Sequence, residues 1–444
     1  MDYSLRFQSA LYLYILLIAG IGLIVPLVYI LEGILLFLFL MVSSGTIFYI
    51  LLIISSRRGY PYSKDGSILF EPEVYVLIPA HNEESVISKT ARSVLNQNYR
   101  NFKLFLINDN STDRTREVME EIKNLDPRRV VILDVPPERG GSKPKALNYA
   151  LEIIEKFPKK PEYILILDAD YILPPNSIRK LVEIMENAPN YVIGVQGNVR
   201  PRNYKKNFIT MFVTLERLVG YNVAIEGDMK LNENGKCGGT VLLLRLQHLL
   251  RLGKFREDSV TEDTDLWARA MISGYRFWYY HGVIGWEEAV ETLGEYIKQR
   301  TRWAQGHFQV MIEYYWEVLR SCSGIAEGFI EHFYLLSYLV PVFWFLSVIL
   351  NLTLIVLGGV PMSLARPRIF LGAAIFTFLV FWFSVFYSNY VEKKRFNFYV
   401  PWWFVALYPL YFLLFVAVGV VYTLRGLINV VMKRLEWKKT RRFT

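Results

Sequence analysis

Long apolar runs occupy both ends of this chain, and a polar segment separates them. Near the N-terminus, residues 11–30 and 34–54 each hold the roughly 20 apolar residues that are needed to cross a ~30 Å hydrocarbon core. Apolar runs return at residues 333–357, 369–387 and 400–424. The pattern predicts a block of transmembrane helices at each end and a domain outside the membrane between them.

The first apolar run has one alternative interpretation, a cleaved signal peptide. However, no small-residue cleavage pattern follows residues 11–30, and the second run begins almost at once. We therefore predict a transmembrane helical hairpin at residues 1–58. Arg57 and Arg58 follow the second run directly, and the positive-inside rule assigns that end to the cytosol. The central domain is then cytosolic, in an integral membrane protein.

Composition agrees with this layout, since 53% of the residues are hydrophobic and the mean hydropathy is +0.24. The net charge is +9, but the basic residues cluster beside the apolar runs, at residues 57–58, 393–395 and 433–442. Membrane lipids with anionic headgroups explain such clusters, and no nucleic acid partner is expected. The two cysteines, Cys237 and Cys322, match neither a disulfide framework nor a zinc site.

In the central segment, short runs of β-branched and aromatic residues alternate with helical patterns. The predicted strands are 74–78, 103–107, 130–133, 163–167 and 192–196. The predicted helices are 84–96, 112–123, 145–156 and 175–187. This alternation is typical of an α/β domain with a largely parallel sheet.

Acidic residues follow several of these strands. Ligands of parallel sheets bind beyond the carboxyl ends of the strands, so Glu83 and Asp109 are well located to bind a base and a ribose. Capping of the next helices is the simpler role for their neighbours Asn82 and Ser111. The fourth strand runs directly into Asp168-Ala169-Asp170.

A solvated turn is the alternative for an isolated Asp-x-Asp. At a strand end, however, two adjacent carboxylates would repel each other without a cation. Mg²⁺ or Mn²⁺ would relieve that repulsion and bridge the carboxylates to a diphosphate. The sequence therefore predicts a divalent metal at Asp168 and Asp170.

Two further segments carry candidate chemistry. Residues 140–148 contain small residues and two lysines just before a helix, which hints at an anionic ligand, although the Walker spacing is absent. Thr261 is suited to cap a helix, and the acids after it, at 262, 263 and 265, include a candidate general base. The residue types alone do not choose among the three acids.

Five motifs occur together and in order: PAHNE at 79–83, DNSTD at 109–113, DAD at 168–170, TED at 261–263 and QRTRW at 299–303. The set resembles the membrane-integrated branch of the family 2 glycosyltransferases, which contains cellulose, hyaluronan and poly-N-acetylglucosamine synthases. The resemblance covers about residues 72–303. It implies a GT-A (Rossmann-like) catalytic domain that binds a nucleoside-diphosphate sugar, usually a UDP-sugar.

The resemblance also implies roles for individual residues. Nucleotide-sugar contacts carry over to Ala80, Glu83, Asp109, Lys145 and Asp168. The metal ligand is Asp170 and the general base is Asp263. Contacts to the diphosphate or the acceptor carry over to Gln299, Arg302, Trp303, Gly238, Gly239 and Glu262.

Two of these segments need comment. In the loop 235–240, Lys236 stands where the family usually has an aromatic residue. In the QRTRW segment, Trp303 offers a flat face for a sugar and Arg302 a fork for phosphate. Tyr296, Trp303, Phe308 and Tyr314 also suit an amphipathic helix on the membrane surface.

The predicted organisation is a hairpin at 1–58, the GT-A domain at 59–290, interface helices at 291–331, transmembrane helices at 332–428 and a basic tail at 429–444. The predicted activity is inverting hexosyl transfer. A processive polysaccharide synthase that couples polymerisation to export is the first interpretation, and single transfer to a lipid acceptor is the alternative. A non-enzymatic transporter or receptor is a remote third. Residues 435–440 resemble the ending of several bacterial and archaeal polysaccharide synthases, which favours a prokaryotic cell membrane.

The second membrane block raises a conflict. If three helices follow a cytosolic domain, the basic tail at 433–442 ends outside the cell, against the positive-inside rule. Either the proline-interrupted residues 400–411 are re-entrant or interfacial, or a span near 325–357 is misdivided. The basic residues 393–395 favour a cytosolic loop before residue 400.

Overall fold

A seven-stranded mixed sheet forms the centre of the computed structural model, which describes residues 29–41, 43–60, 70–356 and 367–434. The strands are β1 Val74–Ala80, β2 Phe102–Asn108, β3 Val130–Asp134, β4 Tyr163–Ile166, β5 Val192–Pro201, β6 Leu242–Arg245 and β7 Arg276–Glu287. The five predicted strands are all present. The first predicted transmembrane run, 11–30, lies almost wholly outside the described residues.

The strand order is β3-β2-β1-β4-β6-β5-β7. Strands β1 to β4 pair in parallel, as predicted. Strand β6 is antiparallel to both β4 and β5, while β5 and β7 are parallel. The prediction missed β6, which has only four residues, and β7, so the sheet is more mixed than expected.

Helices cover both faces of the sheet and continue into the apolar segments. In the central domain they are α2 Ile87–Leu95, α3 Thr115–Leu125, α4 Lys143–Glu155, α5 Ser177–Glu186, α6 Phe208–Val219, α7 Glu226–Asn232, α8 Leu246–Arg251, α9 Glu262–Ile272 and α10 Leu293–Arg320. Helix α1, Tyr29–Ser56, precedes them. After them come α11 Ile325–Leu336, α12 Val340–Val356, α13 Pro367–Phe396, α14 Trp402–Ala406 and α15 Tyr408–Val431.

Alternate residues of the strands face two separate cores. In β1, Val74, Val76 and Ile78 pack into the core that also contains side chains of α2, α3 and α5. Tyr75 and Leu77 pack on the opposite face, with side chains of α4, α9 and α10. A sheet that is buried on both faces requires the nearly continuous apolar strands seen in the sequence. The polar strand ends are left to form a site at the edge.

Five helices in the described part of the chain are long and apolar enough to cross a membrane: Tyr29–Ser56, Phe208–Asn232, Ile325–Val356, Ile375–Phe396 and Tyr408–Val431. Four of them correspond to apolar runs of the sequence. The fifth, Phe208–Asn232, belongs to the central segment and was not predicted. It consists of α6, a π-helical turn at Gly220–Ile225 and α7.

Ion pairs with buried carboxylates join the membrane-type helices to the central domain. Glu392 of α13 pairs with Arg200 of β5, and neither side chain is exposed to solvent. Arg395, also in α13, lies 2.7 Å from Glu226 of α7. Helix α1 packs directly on α7 at Gly227. The contact is so close that a Cβ added there would lie 2.6 Å from the α1 backbone. The helices and the sheet are therefore held as one unit.

The segment after α13 turns back along that helix. The side chain of Asn389 bonds both the N–H and the carbonyl of Val400, and the indole of Trp382 donates to the carbonyl of Val405. Helix α15 then returns toward the central domain. Near its end, the amide of Gln305 in α10 donates to the carbonyl of Arg434 at 2.9 Å.

This path agrees with the re-entrant alternative for residues 400–411, and it brings the end of α15 into contact with α10. Helix α10 is also more enclosed than a membrane-surface helix. Tyr296 and Phe308, which suggested such a helix, are 2% and 0% exposed. Tyr296 packs against rings of α15, and Phe308 against Tyr338.

Candidate active site

A cavity of about 640 Å³ opens at the carboxyl ends of the central strands. Ala80 and Glu83 follow β1, Asp109 follows β2, and Asp168 and Asp170 follow β4, and all five line the cavity. Their convergence agrees with the strand-end argument, because adjacent parallel strands β1, β2 and β4 end at one edge.

The loops after β1 and β2 are braced against each other. The side-chain amide oxygen of Asn82 accepts from the backbone N–H of Thr112 at 2.7 Å, and the Ser111 hydroxyl accepts from the backbone N–H of Asn82 at 3.1 Å. Helices α2 and α3 are instead preceded by Val86 and Arg114. The prediction that Asn82 and Ser111 cap helices was therefore wrong, and the two residues hold the edge of the site together.

Asp109 is fixed by the glycine-rich loop before α4. Its carboxylate accepts from the N–H of Gly141 at 2.9 and 3.1 Å and from the side-chain amide of Asn110 at 3.0 Å. A Cβ added at Gly140 would lie 2.1 Å from the Asp109 carboxylate. This glycine is needed for close approach, and the loop sets the direction in which Asp109 points.

The lysine of this loop that lines the cavity is Lys143, whereas Lys145 is not among the lining residues. The Lys143 ammonium lies 2.7 Å from Asp168, 2.9 Å from Glu262 and 2.8 Å from the carbonyl of Gly239. Burial disfavours the ammonium, but the two carboxylates outweigh burial and raise the pKa of Lys143. Lys143 is therefore the better candidate for the nucleotide contact that the resemblance assigned to Lys145, and the choice between the two stays a prediction.

Asp168 and Asp170 supply the hard oxygen donors that a Mg²⁺ or Mn²⁺ ion requires. Among the residues that the structure describes, no three His, Cys, Asp or Glu side chains group closely enough to hold a metal alone. A pair of carboxylates fits an ion that takes its remaining ligands from substrate phosphates, as Mg²⁺ commonly does.

Asp263 lies in the first turn of α9 and lines the cavity. Burial and the neighbouring Glu262 carboxylate raise the pKa of Asp263 to about 6, against the opposing effects of Lys143, the Thr264 N–H and Arg302. A carboxylate with this pKa is ionised at neutral pH yet more basic than an ordinary aspartate. It is thus suited to accept a proton from a hydroxyl.

The expected capping role of Thr261 was wrong. In the described part of the chain no group hydrogen-bonds its hydroxyl, although Thr261 precedes α9. The side chain packs on α10 instead, because a Cβ added at Gly306 would come within 2.2 Å of the Thr261 hydroxyl. Thr261 therefore sets the spacing between α9, which carries Asp263, and α10.

The loop 235–240 runs beside Asp263. Gly239 has a φ of +71°, and an added Cβ would lie 2.9 Å from the Asp263 carboxylate. Gln196 of β5 holds the loop, accepting from the N–H of Gly238 and donating to the carbonyl of Thr240, both at 2.8 Å. Sequence reasoning missed Gln196, because it is the last residue of the predicted strand 192–196, whereas the observed strand continues to Pro201.

Gln299, Arg302 and Trp303 of α10 also line the cavity. Two guanidinium groups pack against the indole of Trp303, that of Arg300 at 4.2 Å and that of Arg217 at 4.8 Å from the ring centroid. The ring is therefore less open than the sequence suggested. A sugar bound there would share Trp303 with two cations.

Those cations belong to a network that the sequence did not reveal. Arg217 makes two hydrogen bonds to Glu287, at 2.9 and 3.2 Å, and the hydroxyl of Tyr171 donates to the same carboxylate at 2.6 Å. Arg300 lies 2.6 Å from Glu216. The network joins α10 to the end of β4, the end of β7 and α6, so the position of Trp303 depends on three distant segments.

The cavity continues from the strand ends to the membrane-type helices. Its lining includes Phe48 and Leu52 of α1, Ile330 of α11, Tyr338 of the 3₁₀ turn Ser337–Leu339, and Tyr422 of α15. Polar groups of the central domain and apolar or aromatic groups of both membrane blocks thus face one space.

The comparison with protein families decides the classification. The model described as "Glycosyltransferase like family 2" matches residues 72–306, more than half of the chain. The protein belongs to the family 2 glycosyltransferases. The matched segment contains all five motifs, and the non-enzymatic alternative loses its support.

Curated relatives of this glycosyltransferase differ in the reactions that their names describe. It is 31% identical to the probable glycosyltransferase YdaM of Bacillus subtilis over 55% of this chain and 57% of the relative. It is 26% identical to the poly-β-1,6-N-acetyl-D-glucosamine synthase of Staphylococcus epidermidis over 72% of each chain. It is 29% identical to the β-monoglucosyldiacylglycerol synthase of Trichormus variabilis over 64% of this chain and 59% of the relative. Two of the three matches thus span less than two thirds of the relative.

A solved structure supports the GT-A fold of the enzyme. The mannosyltransferase PcManGT from Pyrobaculum calidifontis, in complex with GDP-Man and Mn²⁺, matches with a TM-score of 0.61 at 18% identity. The match covers 91% of this chain and 99% of that one. The predicted fold, an α/β GT-A domain with apolar helices on either side, is therefore confirmed.

Proposed function

We propose that this glycosyltransferase moves a sugar from a nucleoside diphosphate to a hydroxyl group that enters the cavity from the membrane side, with inversion at the anomeric carbon. The observation that carries the proposal is the single cavity that contains Asp168, Asp170 and Asp263 and also touches both membrane blocks. A donor from the aqueous side and an acceptor from the membrane side can meet there.

The donor half of the proposal assigns the nucleotide to the strand-end edge. Asp109, oriented by Gly141, and Glu83 are located to bind the base and ribose. Asp168 and Asp170 would hold a Mg²⁺ or Mn²⁺ ion, which supplies positive charge to the diphosphate when bound. Lys143 adds a fixed ammonium beside the carboxylate of Asp168. A UDP-sugar is the expected donor.

The chemical step requires a base and a stabilised leaving group. Asp263 accepts the proton of the acceptor hydroxyl, the hydroxyl oxygen bonds to the anomeric carbon, and the bond from that carbon to the diphosphate oxygen breaks. The nucleoside diphosphate leaves with both electrons of that bond. Arg302, which lines the cavity and acts on the pKa of Asp263, is located to offset the charge on the departing group. A single displacement of this kind inverts the configuration.

Of the two acceptor classes, the preferred one is a growing polysaccharide, with polymerisation coupled to export. Gln299, Arg302 and Trp303 line the passage between the strand ends and the membrane helices, where a polymer end would lie. The named activity of the Staphylococcus relative agrees with this assignment.

One observation favours a second acceptor class, a lipid. Phe48, Leu52, Ile225 and Ile330 form an apolar part of the cavity wall, which suits the hydrocarbon portion of a lipid that receives one sugar. The named activity of the Trichormus relative belongs to this class.

A product assay distinguishes these proposals. Membranes containing the protein are incubated with radiolabelled nucleotide sugars and Mg²⁺ or Mn²⁺, and membranes with Asp263→Asn serve as the control. Label in a high-molecular-weight, glycosidase-sensitive product supports polymer synthesis. Label that moves into organic solvent supports a lipid acceptor. Absence of Asp263-dependent incorporation from every donor would refute the proposed function.

A further inference from the structure

Lys236 is a buried lysine on the cavity wall that the proposed reaction does not use. Lys236 is 6% exposed, and its ammonium lies 2.7 Å from the carboxylate of Asp228 in α7. The two carboxylate oxygens of Glu331 in α11 lie 2.6 and 2.7 Å from the same ammonium. The rings of Trp267 and Tyr334 lie 4.7 Å from the same nitrogen. Burying a charge this deeply is costly, and the two carboxylates offset that cost only while they stay within hydrogen-bond distance of the ammonium.

The geometry excludes Lys236 as a direct sugar ligand. An ammonium has three donors, and Asp228 and Glu331 provide three carboxylate oxygens within hydrogen-bond distance. The charge therefore acts inside the protein. It joins three elements that otherwise belong to different parts of the chain, namely α7, the loop 235–240 and α11.

The same loop touches the proposed base. Gly239, three residues after Lys236, packs so closely on Asp263 that an added Cβ would lie 2.9 Å from its carboxylate. Asn234, which precedes the loop, adds a second contact with α11, since its side-chain amide donates to Glu331 at 3.0 Å. Helix α11 in turn contributes Ile330 and Tyr334 to the cavity wall.

We infer that Lys236 is a positioning residue that holds the acceptor side of the cavity, formed by the loop 235–240 and α11, in register with Asp263. This inference rests on the proposed function. A shift of the loop would leave Asp109 on Gly141, and Lys143 would lose only the Gly239 carbonyl while it kept Asp168 and Glu262. The same shift would misalign an acceptor hydroxyl. A misplacement of about 1 Å costs on the order of a hundredfold in rate when reacting groups must be aligned.

Water provides the comparison that isolates this role. A water molecule that hydrolyses the nucleotide sugar needs Asp263 but does not need the wall that orients a large acceptor. In Lys236→Met we therefore expect transfer to the acceptor to fall about tenfold to a hundredfold relative to hydrolysis. Nucleotide-sugar binding should stay as in the wild type.

Lys230→Met is the matched control. Lys230, in α7, also has a buried side chain and pairs with Glu226 at 2.6 Å, but it is not one of the residues that line the cavity. Its ammonium also donates to the carbonyl of Ser56 in α1, so its loss removes a buried charge from α7 without touching the loop 235–240 or α11. The ratio of transfer to hydrolysis should stay at the wild-type value.

Cys237 gives a second readout that does not depend on activity. It follows Lys236, is buried on the cavity wall, and would be the single cysteine in a Cys322→Ser background. Reaction with N-ethylmaleimide should be slow in that background, accelerate in Lys236→Met and stay slow in Lys230→Met. If Lys236→Met does not yield folded protein, the double variant Lys236→Met, Glu331→Gln removes the charge together with a partner.

The outcomes separate the two proposals. An unchanged transfer-to-hydrolysis ratio in folded Lys236 variants, or an equal fall in Lys230→Met, would overturn the positioning role. A wild-type enzyme that consumes no nucleotide sugar would overturn the proposed function instead, while the alkylation of Cys237 would still test whether Lys236 holds the loop.

Discussion

The pH dependence of transfer is the most direct test of Asp263 as the base. Its pKa is raised to about 6, first by burial and then by the Glu262 carboxylate. Only the ionised carboxylate accepts a proton, so activity should be high above pH 6 and fall below it. With this pKa, about 90% of Asp263 is ionised at pH 7 and about 10% at pH 5, which predicts a roughly tenfold loss of rate between them.

Two substitutions make the test specific to Asp263. In Glu262→Gln the neighbouring negative charge is removed, so the acidic limb should move to lower pH. In Asp263→Asn the limb should disappear together with transfer, a loss of about 10²–10⁴-fold, while the nucleotide sugar still binds.

The assay is the initial rate of sugar transfer from pH 5 to 8 at saturating donor, acceptor and metal. Donor binding is measured separately at each pH, so that weaker binding is not mistaken for loss of the base. A profile that stays flat down to pH 5, as an aspartate with the usual pKa of about 3.9 would give, or an upward shift in Glu262→Gln would refute the reasoning.

Three further predictions follow from the contacts. Lys143→Met should lower transfer by about 10²-fold or more, because a preorganised charge at the diphosphate is lost, whereas Lys145→Met should keep near-normal kcat/KM in the same assay. Glu392→Gln should lower the free energy of unfolding, measured in detergent, by about 3–5 kcal/mol, because Arg200 would stay buried without its charged partner. An unchanged free energy of unfolding would contradict the role of this pair. A protease site added after Arg434 should be cut by protease on the same side of the membrane as the central domain, because the end of α15 contacts α10. Cleavage only by protease on the opposite side would refute the re-entrant path.

Part of the active site followed from local sequence alone. Acidic residues that follow a parallel strand lie at the carboxyl edge of the sheet, whichever strands are adjacent to it. For that reason Glu83, Asp109, Asp168 and Asp170 could be predicted together before any contact was known. Apolar run lengths likewise predicted four of the five helices able to cross a membrane.

Other features depended on the direction in which a helix or loop presents its side chains. Lys143 and Lys145 are two residues apart, and only the packing of α4 decides which one reaches the cavity. Asn82 and Ser111 resemble helix caps by type, yet they bond across two loops that lie about 30 residues apart in sequence. Neither choice is encoded in the nearby residues.

The sequence by itself determined the α/β domain, its acidic edge and the apolar segments on either side, because strand and helix periodicity and run length are local properties. Tertiary structure alone decided the pairing of β6 between β4 and β5, the packing of Trp303 against Arg217 and Arg300, and the buried link from Lys236 to Glu331. These contacts join residues that are far apart in the chain, and their energies depend on burial and alignment. A buried charge gains its partner only when the whole fold brings the two together.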